Sequence, residues 1–469
     1  MPRKKTKSRF HTSGNKISFI SLGCPRNLVD SEVMLGILLK AGYEPSEIPE
    51  EADYLIINTC GFLQSARDES LAAIQETIEI KKETTKVIVT GCMVQRHSDE
   101  ITKQFPKVDY LLGSGDVNGI LKAVQSTEKG AEITSAKSYL EAGEVPRQLS
   151  TPQHYAYLKI AEGCRKRCSY CIIPEIKGPL RSKSVEQVLK EFRVLLDQGV
   201  KEVILIAQDL GDWGKDLGFR RSEGLAHLLR EILNEKTDFW LRLLYLYPDE
   251  MSEELIQIIK NDKRICPYVD MPIQHVNDDL LRSMSRTTSK EDIIRMITIM
   301  RKEIPDMTIR TSLIVGFPGE TEEQFEELEQ FLKEFQLDNV GIFKYSREPG
   351  SRAAELPNQI SEENKERRYQ QLMKVQQEIV EKNNQRMVGK KLEAFVEGYH
   401  PESSLLMSAR HRGQCPEVDG QIIINDGRKV QAFGKKYLVE ITDVAGYDLI
   451  GRVIKSLEKS SPLAQVPKA

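Results

Sequence analysis

Long hydrophobic runs are missing from this sequence. No apolar stretch approaches the ~20 residues that span a bilayer, so no membrane partner is expected. Neither charge sign dominates, with 67 Lys and Arg against 70 Asp and Glu for a net charge of −3. That balance gives no overall pull toward nucleic acid or acidic surfaces. Aromatics are only 7% of the residues, with two tryptophans. Eight cysteines in 469 residues are too few for a disulfide scaffold. The opening Met1-Pro2-Arg3-Lys4-Lys5-Thr6-Lys7 has no apolar stretch behind it, so no secretory signal is expected. A reducing, cytoplasmic setting is the default. Grouped cysteines in that setting point to metal or catalysis instead of bridges. The length predicts several domains.

What is present is grouped cysteine. Cys164-Arg165-Lys166-Arg167-Cys168-Ser169-Tyr170-Cys171 places three thiols on one short stretch, spaced C-x3-C-x2-C. A structural zinc takes four protein ligands, and no fourth Cys or His lies close by. His154 is the nearest recruit. The alternative is a cubane iron–sulfur cluster on three thiolates with one iron open for chemistry.

Residues 16–127 alternate short apolar runs with helical patterns, which predicts a flavodoxin-like parallel α/β domain. Strands are expected at 17–22, 54–57, 87–89 and 110–112, and helices at 28–39, 71–80 and around Ile101. Cys24, Cys60 and Cys92 each follow a strand, at separations of 36 and 32 residues, about one βαβ unit each. Ligand sites in such sheets lie beyond the carboxyl ends of the strands. The three thiols are therefore expected on one rim, as metal ligands. Each has a glycine neighbour (Gly23, Gly61, Gly91) that lets backbone approach a cofactor. Residues 1–15 read as a disordered basic tail, 128–149 as a linker and 458–469 as a second tail.

Residues 150–386 carry six strand candidates separated by helices, predicting a partial (β/α)6 TIM-like barrel. The expected strands are 155–160, 203–207, 240–246, 268–271, 308–315 and 339–343. Chemistry in barrels sits at the carboxyl ends of the strands, and the Cys164–Cys171 stretch follows the first. Gln208-Asp209, Met271-Pro272-Ile273-Gln274-His275 and the run Ser312, Ile314, Gly316, Gly319-Glu320 reach the same rim. His275 reads equally as acid/base or as a satisfied polar residue, and Cys266 as structural. A charged helical pattern at 362–388 leads to residues 387–457. Five short strands there suggest an OB-like β-barrel. Ten Lys/Arg face nine Asp/Glu between Val388 and Lys455, without the basic excess of a nucleic-acid module. Glu417 and Asp419 are candidate contacts for a basic protein, and Cys415 is incidental.

C-x3-C-x-(aromatic)-C resembles the signature of radical S-adenosylmethionine enzymes. The two cysteine triplets with the β module, over roughly residues 16–455, resemble the methylthiotransferases. The module is similar to a TRAM domain. Ser21-Leu22-Gly23-Cys24-Pro25-Arg26-Asn27, Leu243-Leu244-Tyr245-Leu246-Tyr247-Pro248 and Glu417-Val418-Asp419-Gly420 resemble the branch that modifies a ribosomal protein.

That resemblance implies two 4Fe-4S clusters, one on Cys164, Cys168 and Cys171 and one on Cys24, Cys60 and Cys92. It implies S-adenosylmethionine (SAM) near Tyr170, Gln208, Asp209, Gln274, Ser312, Ile314 and Gly316. Ser312 stands where the family's strand-five pattern has a glycine. The implied reaction adds a methylthio group at the β-carbon of an aspartate in the twelfth small-subunit ribosomal protein. The implied electron donor is a flavodoxin or ferredoxin. Methylthiolation of tRNA adenosine is the lesser alternative within the family. A zinc-stabilised RNA-binding protein and an N-terminal triplet that only relays electrons are the readings from other classes.

Overall fold

The computed structural model describes residues 14–134, 140 and 146–458. Most of the expected tails and part of the expected linker lie outside the described residues. Two compact units divide between Gln148 and Leu149.

In the first unit, near-continuous apolar runs become parallel strands, because a strand covered on both faces has no polar side to present. The strands are β1 (Lys16–Ser21), β2 (Glu44–Pro45), β3 (Tyr54–Thr59), β4 (Lys86–Gly91), β5 (Tyr110–Gly113) and β6 (Gly130–Glu132). Their order is β2-β1-β3-β4-β5-β6, every pair parallel. This is a doubly wound, flavodoxin-like sheet. β3 is buried along its whole length. Separate apolar clusters built around Val33, Met34 and Leu38, and around Ile74, Met93 and Ile101, complete its core. The linker expectation needs correction. β6 pairs with β5 inside it, and Arg147 closes a 2.6 Å ion pair on buried Glu32. Backbone pairing and scattered long-range bonds such as Arg147–Glu32 and Thr134–Asp116 leave no periodicity for a sequence pattern to reveal.

The second unit opens with β7 (Tyr155–Lys159), the short antiparallel pair β8 (Ala161–Glu162) and β9 (Arg181–Ser182), then β10 (Glu202–Ile206), β11 (Trp240–Leu243), β12 (Ile265–Asp270), β13 (Thr308–Val315) and β14 (Asn339–Lys344). Six of these form one parallel sheet, β14-β13-β12-β11-β10-β7, the expected partial barrel. β11 is shorter than expected. Residues 244–246 leave the ladder and carry Tyr245 at φ +63°. Three of the helices between strands open on reciprocal capping boxes, at Ser184/Gln187, Ser289/Asp292 and Thr321/Gln324. The helix Glu362–Gln385 lays Leu372, Val375 and Ile379 into the barrel core.

Strands β15 (Lys391–His400), β16 (Ser403–His411), β17 (Ile422–Asp426), β18 (Lys435–Ala445) and β19 (Asp448–Ser456) close into a small barrel, β15-β16-β17-β19-β18. It packs on the amino ends of the large barrel's strands. Arg410 of the module meets Glu202, the first residue of β10, at 2.6 Å, and Arg242 of β11 meets the same carboxylate at 2.7 Å. These three side chains are at most 2% exposed. His154 binds Glu397 of the module at 2.9 Å, so it is spent on packing and is not a fourth ligand to the cysteines. Lys201 reaches the Gly434 carbonyl and Glu458. The module therefore covers the end of the barrel opposite the Cys164–Cys171 loop. Among the described residues no helix is long and apolar enough to cross a membrane.

Candidate active site

Cys24, Cys60 and Cys92 follow β1, β3 and β4, which are adjacent in the sheet. All three stand on one rim because parallel strands end together. Cys24 is the N-cap of the helix Pro25–Lys40, and Cys92 opens the helix Cys92–Gln104. Helix N-termini favour the thiolate form of such cysteines. Burial pushes the Cys60 thiol up, while the Phe62 amide N–H on its sulfur pulls it down.

The rim loops are braced by buried amides. Asn58 Nδ2 donates to the Asn27 carbonyl and to Ser31 Oγ, each at 2.9 Å. Asn27 Nδ2 donates to the Leu22 carbonyl at 2.6 Å. Ser70 Oγ accepts from the Cys60 N–H at 3.1 Å. The loops themselves require two of the neighbouring glycines. A Cβ on Gly23 (φ +91°) would lie 2.8 Å from the Cys60 Cβ, and one on Gly91 (φ +101°) would lie 2.5 Å from the Thr59 carbonyl oxygen. Asn27 and Ser31 stand just beyond Cys24, but only the pairing of β1 with β3 exposes their bracing role.

In the second unit Cys164 and Cys171 are half-buried and Cys168 is buried. Amide N–H groups point at two of the sulfurs, Lys166 on Cys164 and Ile173 on Cys171, the latter at 3.5 Å. With Phe62 on Cys60, this is one repeated arrangement in which the second residue onward donates its N–H to the sulfur. Such bonds stabilise thiolates and set the potentials of iron–sulfur centres. Burial, partly offset by the Lys166 amide, pushes the Cys164 thiol up to about 12. Three thiols on one loop, two of them with an N–H aimed at the sulfur, are a donor set that fits a group binding thiolate.

The loop is anchored by Lys166, which sequence spacing treats as a filler position. Its ammonium lies 2.9 Å from Asp249, 3.1 Å from Glu250 and 3.5 Å from Asp209. Burial works against that charge and the carboxylates override it. Burial, then the neighbouring Asp212, pushes Asp209 up to about 7 against the pull of Lys166. Oxygens of Asp209, Asp212 and Glu250 lie within 4.8 Å of one another, but Lys166 and Lys215 supply the positive charge there. Asp209 also accepts from the Gly211 N–H at 3.0 Å. Its visible role is to hold the cysteine loop, and Gln208 beside it is half-buried.

The strand-end residues come together. The Gln274 N–H donates to the Ser312 carbonyl and the Ile314 N–H to the Gln274 carbonyl, both at 2.8 Å. Tyr170 packs against the apolar cluster of Ile314, Phe317 and Tyr345. The Gly316 N–H donates to Glu320, whose carboxylate also takes Arg368 and His275. His275 Nδ1 accepts from the Asn277 N–H at 3.0 Å and Nε2 faces Glu320 at 3.2 Å. That arrangement settles its two readings in favour of a satisfied, buried tie.

Two candidate residues do not join this site. The Asp419 carboxylate is 2% exposed and takes the Tyr268 hydroxyl and the Cys415 N–H at 2.8 Å each, with Arg310 at 3.6 Å. Glu417 accepts from the Tyr155 hydroxyl at 3.0 Å. Both lie at the amino ends of the barrel strands, about 17 Å from the other rim for a five-residue strand. Asp419 is spent on fastening the β module to the barrel, whereas Glu417 makes one such bond and stays exposed. Cys266 and Cys415 are buried beside them.

The chain is 69% identical over 445 residues to the ribosomal protein uS12 methylthiotransferase RimO of Protochlamydia amoebophila (strain UWE25), covering 95% of this chain and 94% of that one. It belongs to the RimO family. The RimO of Chlamydia abortus (strain DSM 27085 / S26/3) is 60% identical, over 95% of this chain and 97% of its own. That of Bdellovibrio bacteriovorus is 43% identical, over 94% and 97%. Within this RimO-family chain, residues 16–113 match the uncharacterized protein family UPF0004, 158–332 the radical SAM superfamily and 388–454 the TRAM domain. A solved radical S-adenosylmethionine methyltransferase, TsrM from Kitasatospora setae with cobalamin and a 4Fe-4S cluster bound, shares the fold. Its TM-score is 0.52 and its identity 14%, covering 71% of this chain and 72% of that one.

Proposed function

We propose that this chain is a radical SAM methylthiotransferase that modifies ribosomal protein uS12. The observation that carries the reading is its full-length identity to named RimO proteins, with six cysteines set on two strand-end rims. The finer reading is that an aspartate β-carbon is methylthiolated and that two 4Fe-4S clusters take part.

Cys164, Cys168 and Cys171 would hold one cluster, and Cys24, Cys60 and Cys92 the other. The bound groups supply reductive cleavage of SAM, hydrogen abstraction and a sulfur-carrying iron. The remaining work belongs to the chain. Lys166, locked in carboxylates, fixes the cysteine loop before any ligand arrives. Tyr170, Ile314 and Phe317 form an apolar wall that keeps water away and suits an adenine face. The Glu320 carboxylate holds the Gly316 turn. Gln274 bonds along β13 at Ser312 and Ile314, keeping that wall in register. A cytoplasmic setting and a flavodoxin or ferredoxin donor complete the proposal.

The test is incubation of the reduced enzyme with SAM and either purified uS12 or tRNA. Mass spectrometry should find about 46 Da added to an aspartate of uS12, the mass of SCH3 replacing H in this radical chemistry. The increment on adenosine, with uS12 unchanged, overturns the assignment.

A further inference from the structure

The branch-like stretch Leu243–Pro248 and a distant arginine meet at the middle cysteine. Tyr247 places its hydroxyl 3.9 Å from Cys168 Sγ. The Arg286 guanidinium stacks on the Tyr247 ring, 4.0 Å from its centre. Arg286 is buried, its Nη2 donates to the Pro272 carbonyl at 2.5 Å, and its Nη1 is buried without a hydrogen-bond partner. Its backbone N–H is tied to the Leu281 carbonyl at 2.8 Å. Burial works against the Arg286 charge, and Tyr170, Tyr247 and Cys168 are the neighbouring groups that favour it. Lys166 also lies over the Tyr247 ring, 5.2 Å from its centre. Asp249 is the carboxylate that also feels Arg286, and it is already bound by Lys166 and Thr287. A buried cation is thus held beside one thiolate ligand with one donor left over.

Resting on the cluster reading above, we infer that Arg286, aided by the Tyr247 hydroxyl, is a positioning residue for the Cys168 thiolate that favours one-electron reduction of the cluster on that loop. Reduction adds one negative charge to the centre. A fixed positive charge in a poorly screened interior stabilises the more negative state. Hydrogen bonds to ligand sulfurs act in the same direction. Electron supply from a low-potential donor is the step these residues would ease.

The test is a dye-mediated dithionite titration of the full-length, reconstituted protein. It follows the reduced-cluster electron paramagnetic resonance signal that changes when SAM is added. Arg286→Gln should keep the wild-type iron content and be reduced at least tenfold less favourably, about 59 mV for one electron. Tyr247→Phe should shift the same way by less, and Arg286→Lys should recover most of the wild-type value. An unchanged midpoint in Arg286→Gln with full iron overturns the inference. If Arg286→Gln loses iron, Tyr247→Phe decides, and an unshifted midpoint there overturns it. Absence of iron from the wild type would instead defeat the cluster reading.

Discussion

The two cysteine triplets use the same donors, and each has a sulfur that accepts an N–H from the second residue onward, yet they are assembled differently. Cys164, Cys168 and Cys171 sit on one loop, within eight residues. Cys24, Cys60 and Cys92 sit on three loops brought together by adjacent parallel strands. A loop triplet needs only its own turn and an anchor, which Lys166 provides. A rim triplet needs the whole sheet in register, and Asn27, Asn58 and the glycines hold its loops at near-contact distance. The first is a local device, whereas the second is a product of the fold.

Sharp separation of the two roles is the largest expected effect. Cys168→Ala should abolish 5′-deoxyadenosine formation from SAM, whereas Cys60→Ala should leave it near wild type while stopping methylthio transfer. Slowed SAM cleavage in Cys60→Ala would make the rim triplet an electron relay and erase the contrast. Iron content checks the same division. Cys164, Cys168 and Cys171 replaced together by Ala should leave about half the wild-type iron and sulfide, the share of one of two clusters. Loss of all iron, or of none, breaks the comparison.

Stability tests whether each triplet depends on its own unit. Glu202→Gln leaves Arg242 and Arg410 buried against a neutral group, which costs about 3–5 kcal/mol. Thermal unfolding should show that loss in the second unit only. Although burial opposes its charge, Arg410 and Arg242 hold the Glu202 carboxyl at about 2. That folded value is below the ordinary one, so the stabilisation is present above about pH 4.3. It is lost as pH falls toward the folded value, and an acid titration of the wild type should show it. The smallest effect is expected from Gly91→Ala, where a positive φ and the Thr59 carbonyl oppose a Cβ. Strain of about 1–3 kcal/mol should loosen the rim and lower iron bound by Cys24, Cys60 and Cys92. Iron on the loop triplet should be unchanged.

Much of this was legible in the chain. The Cys164–Cys171 spacing, the strand-end placement of Cys24, Cys60 and Cys92, and the six barrel strands could be read because each is short-range or periodic. Asp419 misled, since an acidic residue in a turn looks exposed until Tyr268 and Arg310 are brought against it. Residues 128–149 misled for the complementary reason, their order coming from β5 and from Glu32 instead of their own composition.

The amino-acid sequence by itself determined the donor set, the alternation that makes both parallel sheets and the capping boxes that start three of the barrel helices. All of these arise within a turn or a βαβ unit. Only the tertiary structure decided which charges are spent and which face the chemistry. It closed Lys166 into carboxylates, His275 onto Glu320, Arg286 onto Tyr247, and the β module onto the barrel's amino ends. Each of those choices depends on burial between residues distant in the chain, where an unpaired charge is costly and no local pattern reports the partner.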